Sequence, residues 1–337
     1  LYGGIRLRDT TNTRVLANHA MFNGSPGGWP GISLWDTTGG QVIGNVASGN
    51  TGSGIGLGGN TTGILVQDNR VGTTADGLSA LGNGYDGIDL YGGATNTGNT
   101  VTGNLVSANR WGIIIWYYPN PVGPTGNTVT GNIIGLDITQ TSSLPNQIGV
   151  YLRDGAHDNI IGGSGPDANI ISGNSGAGIA VGVDQADTGT YGNTIIWNSI
   201  YDNGGLGIDL VNDGITGNDV GDVDTGPNDL LNYPVLTSAS DNGIQTTVNG
   251  SVDIGISGAT IVIDFYTNPA GTCDLSGYGE GRTHIGDTLL VTGGGGTAAF
   301  SAPLPTGLLG QEITATTRSV LVPGNTSEFS ACVTVSP

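Results

Sequence analysis

Lysine is absent from the 337 residues: the eight basic side chains are all arginines, set against 27 acidic ones, for a formal net charge of −19. Nucleic-acid binding depends on clustered Lys and Arg, so this balance excludes nucleic acid as a partner. An acidic surface also repels polyanions unless cations intervene, and it attracts divalent metal. No run approaches the roughly 18 to 20 apolar residues that span a bilayer, so no transmembrane segment is expected. Cysteine is nearly missing as well. The two present, Cys273 and Cys332, cannot make a disulfide-rich scaffold, and they read instead as one bridge near the C-terminus.

Aromatic residues make up only 6% of the chain and charged residues 10%, whereas glycine occurs 64 times. No three-residue glycine period is present, which excludes collagen, and a hydrophobic content of 36% argues against a disordered chain. The glycines therefore mark repeated turns. A unit of Gly followed by apolar, any, apolar recurs eight times: Gly4-Ile5-Arg6-Leu7, Gly31-Ile32-Ser33-Leu34, Gly54-Ile55-Gly56-Leu57, Gly87-Ile88-Asp89-Leu90, Gly112-Ile113-Ile114-Ile115, Gly149-Val150-Tyr151-Leu152, Gly178-Ile179-Ala180-Val181 and Gly207-Ile208-Asp209-Leu210. Intervals of 23 to 37 residues suit solenoid coils that keep one strand and vary their loops. Side chains alternate along a strand, so the Ile and Leu of each unit point inward and the middle residue outward.

Asparagines five apart flank short apolar strands at Asn99/Asn104, Asn127/Asn132, Asn169/Asn174 and Asn193/Asn198. Stacked from coil to coil, they predict hydrogen-bonded ladders, and asparagine also tolerates left-handed turns. On these motifs the region 1–215 resembles the right-handed parallel β-helix repeat proteins, a superfamily that includes pectate lyase-like enzymes, periplasmic copper-site accessory proteins and many bacterial surface proteins. The resemblance implies an all-β solenoid of about eight coils. It implies no single activity, because such scaffolds host many. The chain opens inside a repeat, which reads as a processed or partial chain whose first coil offers an edge for stacking against another copy.

Residues 216–235 form an acidic, Gly- and Pro-containing linker in which Asp219, Asp222, Asp224, Asn228 and Asp229 are candidate ligands for Ca²⁺. The segment is not an EF-hand: counted from Asp222, Pro227 stands where Gly is required and Tyr233 where Glu is required. From 236 to 337, six or seven short strands suit a small immunoglobulin-like β-sandwich. Its end, from Pro323 to Ser330 with Ile313 to Thr316, resembles the terminal module of large bacterial surface β-helix proteins, a module that serves as a spacer or adhesive appendage. A Cys273–Cys332 disulfide would stabilise by roughly 4 kcal/mol in the chain-entropy model. It places the protein in an extracellular or cell-surface setting.

Two outward columns are the places to look for chemistry. The first contains Asp89 and Asp209, four coils and roughly 19 Å apart, too far for paired-carboxylate hydrolysis. No catalytic residues are assigned. The second carries Arg8, Trp35, Tyr91, Trp116 and Arg153, a stripe suited to sugar faces or a protein partner. The expected function is therefore an extracellular structural or adhesive surface protein, a self-assembling filament subunit or one bound to surface glycans. A polysaccharide-binding or polysaccharide-degrading β-helix is the alternative.

Overall fold

A computed structural model describes residues 4–24, 27–119, 122–320 and 324–337. Pro323, the first residue of the C-terminal motif above, lies outside the described residues. The repeat builds a parallel β-helix. Its first sheet has eight strands, one for each Gly-apolar unit, from Ile5–Arg8 through Ile55–Gly58 and Ile88–Tyr91 to Ile208–Leu210. Two further parallel sheets, each of seven strands, complete the coils. Register follows the repeat: Ile5, Ile32, Ile55, Ile88 and Ile113 stack in one column, and Leu7, Leu34, Leu57, Leu90 and Ile115 in the next. These columns are almost wholly buried, and they form a continuous core.

Asparagine ladders hold the coils in step. One runs Asn18, Asn45, Asn69, Asn104, Asn132, Asn169, Asn198, each Nδ2 donating to the next Oδ1 at 2.8 to 3.1 Å. From Asn45 onward each amide also donates to a main-chain carbonyl of the preceding coil, as Asn104 does to Val66 and Asn132 to Val101. Buried polar atoms left unpaired cost about 1 to 3 kcal/mol each, so the ladder keeps the coil corners both dry and satisfied. At six of the seven places the left-handed residue is the predecessor of the ladder asparagine: Ala17, Gly44, Asp68, Gly103, Gly131 and Trp197 have φ between 53° and 66°, whereas Ala168 before Asn169 is extended. Tryptophan is an outlier in that series, at a backbone strain of about 1 to 3 kcal/mol.

The C-terminal part explains that strain. Its seven strands, from Val235–Asp241 to Val333–Ser336, form two facing sheet halves around one apolar core. Strand Val333–Ser336 pairs with both halves, parallel to Val235–Asp241 and antiparallel to Glu312–Ser319. The expected sandwich is thus one mixed sheet that is nearly closed. It docks on the last coil as a cap, not as a trailing appendage. Trp197 donates its main-chain N–H to the Tyr266 hydroxyl (3.1 Å) and its Nε1–H to the buried Asp264 carboxylate (3.0 Å), which also receives Arg318. Tyr266 and Phe329 of the cap enter the core of the β-helix.

Cap residues also terminate the ladders. Along Asn146, Asn174 and Asn203, the next acceptor is the Glu280 carboxylate, 2.7 Å from Asn203 Nδ2. Glu328 accepts the Leu210 and Thr216 N–H groups at the edge of the first sheet. Asn228 completes a third ladder, accepting from the Asn193 N–H and donating to the Thr326 carbonyl. Burial pushes Glu280 up to about 7 and Glu328 up to about 8, with Asp274, Asp202 and Asp209 adding repulsion. Carboxyls raised on folding stabilise fully below their unfolded pKa and lose that contribution as pH rises through the folded values. The melting temperature should therefore fall between mildly acidic and mildly alkaline pH. Glu280→Gln with Glu328→Gln should flatten that fall in a thermal-melt series, and an unchanged slope would contradict the assignment.

Candidate functional site

The second outward column on the first sheet is where the aromatic side chains gather. Main-chain pairing places Arg8, Trp35, Gly58, Tyr91 and Trp116 side by side on successive strands. Gly58 lets the Trp35 ring lie flat across its strand; a Cβ there would fall 2.2 Å from the ring. Trp35 thereby reaches Tyr91 (ring centroids 6.2 Å apart), which meets Trp116 at 5.0 Å and Tyr117 at 5.4 Å. Arg153 closes the far end, 5.8 Å from the Trp116 ring and 5.2 Å from Tyr151, held by Asp154 at 2.6 Å. Four of the five expected stripe residues thus form a connected face. Arg8 stands apart, turned to Asp9 and Asp36.

Toward Arg153 the outer face is closed by packing: Ile114, Ile148, Tyr151, Ala177 and Ala180 form a buried outer cluster against Trp111, Trp116 and Val183. Toward Trp35 it opens into a small cleft of about 90 Å³ lined by Trp29, Pro30, Ser33, Trp35, Gly56, Leu57, Gly58, Asp89 and Tyr91. The consecutive outward glycines make the trench, because any side chain at Gly56 would meet Pro30 and any at Gly58 would meet Trp35.

Asp89 lies at the edge of this cleft, its Oδ1 accepting from Trp116 Nε1 at 2.9 Å. Burial and the neighbouring Asp86 push it up to about 7. Asp86 itself is pushed to about 6 by burial, against the pull of Arg110 and Arg153, and its Oδ1 has no hydrogen-bond partner. In sequence Asp89 shares its outward column with one other carboxylate, Asp209. Those two are separated by three intervening strands, and Asp209 serves its own turn, accepting from the Asp213 and Gly214 N–H groups. Asp86 and Trp29 lie outside the repeat triplet that guided the reading, although each directly precedes the start of a repeat or its proline.

Of the five linker oxygens expected around a cation, three converge. Carboxylate oxygens of Asp219, Asp222 and Asp224 lie within 4.8 Å of one another, and Asp219 Oδ1 is buried without a partner. Asn228 does not join them: it is fully buried, and both side-chain atoms are spent on the ladder end described above. Asp229 turns to Asn325 instead. Cys273 and Cys332 are joined as a disulfide within the cap.

Among families of known proteins, one described as "right handed beta helix region" matches residues 2–146. With the three parallel sheets, this identifies the architecture as a right-handed parallel β-helix, which the strands carry on to Leu210. No curated protein matches the chain.

Glycine 58 offers a direct test of the aromatic geometry. Gly58→Ala should displace Trp35 from Tyr91 and shift tryptophan emission, whereas Gly24→Ala, whose Cβ would meet only Thr51 at 4.0 Å, should leave emission unchanged. Identical spectra for both variants would contradict the packing.

Proposed function

We propose that this right-handed β-helix is an extracellular adhesive protein that holds glycans on the aromatic outer face of its first sheet. The observation that carries the reading is the connected row Trp35, Tyr91, Trp116 and Tyr117 beside a glycine-floored cleft, held on paired parallel strands of one sheet. Sugar rings present apolar C–H faces that pack on aromatic rings, and a preformed site limits the entropy lost on binding. The disulfide in the cap supports an oxidising, extracellular setting. End-to-end self-assembly finds no support at the C-terminal end, where the cap covers the last coil.

Binding is favoured over catalysis because the face offers a continuous platform, whereas the outward carboxylates Asp89 and Asp209 stand on strands too far apart to act on one bond. Isothermal titration against a panel of neutral hexasaccharides tests the reading. Trp35→Ala and Tyr91→Ala should each weaken a bound glycan by about tenfold or more, the loss of one buried aromatic contact. Glycan release of reducing ends at the same site would instead favour hydrolysis.

A calcium ion in the linker is a second element of the proposal, supported by the convergence of Asp219, Asp222 and Asp224. At about a hundredfold excess over its Kd, Ca²⁺ should add about 2.7 kcal/mol to stability. Asp219→Asn or Asp222→Asn should abolish that gain in a thermal melt. Equal melting in Ca²⁺ and in chelator would remove calcium from the account.

A further inference from the structure

The cleft beside Trp35 is too small for a sugar ring. At about 90 Å³ it holds roughly three water molecules' worth of space, enough for one substituent of a ring that rests on the aromatic rim. Its walls are the aromatic side chains Trp29, Trp35 and Tyr91, and its polar groups include the Ser33 hydroxyl and the Asp89 carboxylate. Among the described residues Asp89 has no ion-pair partner. The nearby arginines act on Asp86 instead, and Trp116 supplies a neutral donor. The same aromatic neighbourhood already receives a cation: the Arg6 guanidinium lies 3.9 Å from the centre of the Trp29 ring.

A carboxylate without a counter-charge, ringed by π faces, is a site for a cation. Resting on the glycan reading above, we infer that the face selects amino glycans, with the ring of a glucosamine unit on Trp35 and Tyr91 and its 2-ammonium group in the cleft against Asp89. An N-acetyl group is bulkier and carries no charge to offer the carboxylate. An uronate would set one anion against another on a chain of net charge −19. The proton balances without an outside acid or base: either the sugar arrives as an ammonium and meets the carboxylate, or a neutral amine takes the proton from the Asp89 carboxyl. Both routes end in the same ion pair. Asp86, three residues earlier in the chain, keeps the local potential negative, and the partial burial of Asp89 strengthens the pairing because it limits the water that competes for it.

The experiment is isothermal titration near neutral pH with three hexamers of matched length: glucosamine, N-acetylglucosamine and galacturonate. Asp89→Asn is the test variant, because asparagine keeps the Oδ1 that accepts from Trp116 and preserves shape. Asp287→Asn, on the exposed cap strand Thr283–Val291, controls for diffuse charge. The proposal expects the glucosamine hexamer to bind the wild type about tenfold or more tightly than the N-acetylated one, the effect of one charge-assisted hydrogen bond. Asp89→Asn should erase that preference while leaving N-acetylglucosamine affinity unchanged, and Asp287→Asn should leave the preference intact. Equal binding of the glucosamine and N-acetylglucosamine hexamers, untouched by Asp89→Asn, overturns the ammonium site but leaves the glycan face standing. A preference lost equally in Asp287→Asn overturns it in favour of diffuse attraction. Failure of every hexamer to bind overturns both readings.

Discussion

Everything in this molecule depends on side-chain amides that stack from coil to coil. A parallel β-helix must turn its chain at each corner, and every turn exposes main-chain N–H and C=O groups to the interior. Asparagine answers this with one side chain: its oxygen accepts from the main-chain and side-chain N–H groups of the preceding ladder member, and its amide donates onward and to a carbonyl. Such networks are strong only when every member is satisfied. A ladder that ends leaves its last amide without an onward acceptor: Asn198 donates to the Ile161 carbonyl, and the two other ladders continue into groups beyond the coils. Glu280 and Asn228 are the solution at the C-terminal end, and they tie the cap to the coils by the same chemistry that ties coil to coil.

That constraint accounts for the strained and buried groups around the last coil. Trp197 occupies a left-handed position that glycine, alanine or aspartate fills in other coils, and it is kept there by Tyr266, Asp264 and the His284 ring, which meets it at a tilt with centroids 5.4 Å apart. Docking of the cap supplies the contacts that offset this strain.

Much of the β-helix was legible because its information is local and repeated. The Gly-apolar triplets located each strand of the first sheet and their register, since an inward column of Ile and Leu tolerates no slip. The five-residue asparagine spacing located ladders, though Asn169 and Asn174 flank a strand of the third sheet while the other pairs flank the second. Docking of the cap was not legible: Trp197 meets Asp264 and Asn203 meets Glu280 across 67 and 77 residues, with no periodicity to announce either contact. Asn228 looked like a metal ligand because it sits among aspartates, and only the third dimension makes it a ladder end. On the candidate face, the triplet revealed Trp35 and Tyr91, whereas Trp29 and Asp86 belong to variable turns that carry no repeat signal.

The central claim is that cap and coils form one cooperative structure through the ends of the ladders. Native-state hydrogen exchange on the backbone tests it most directly, by comparing the amides of Ile195, Ile200 and Leu210 in the last coil with those of the cap strands Thr260–Asn268 and Glu312–Ser319. The account predicts that both sets exchange with the same opening free energy, and that Glu280→Ala lowers both together. Cap amides that open independently, while the last coil keeps its protection, would contradict it.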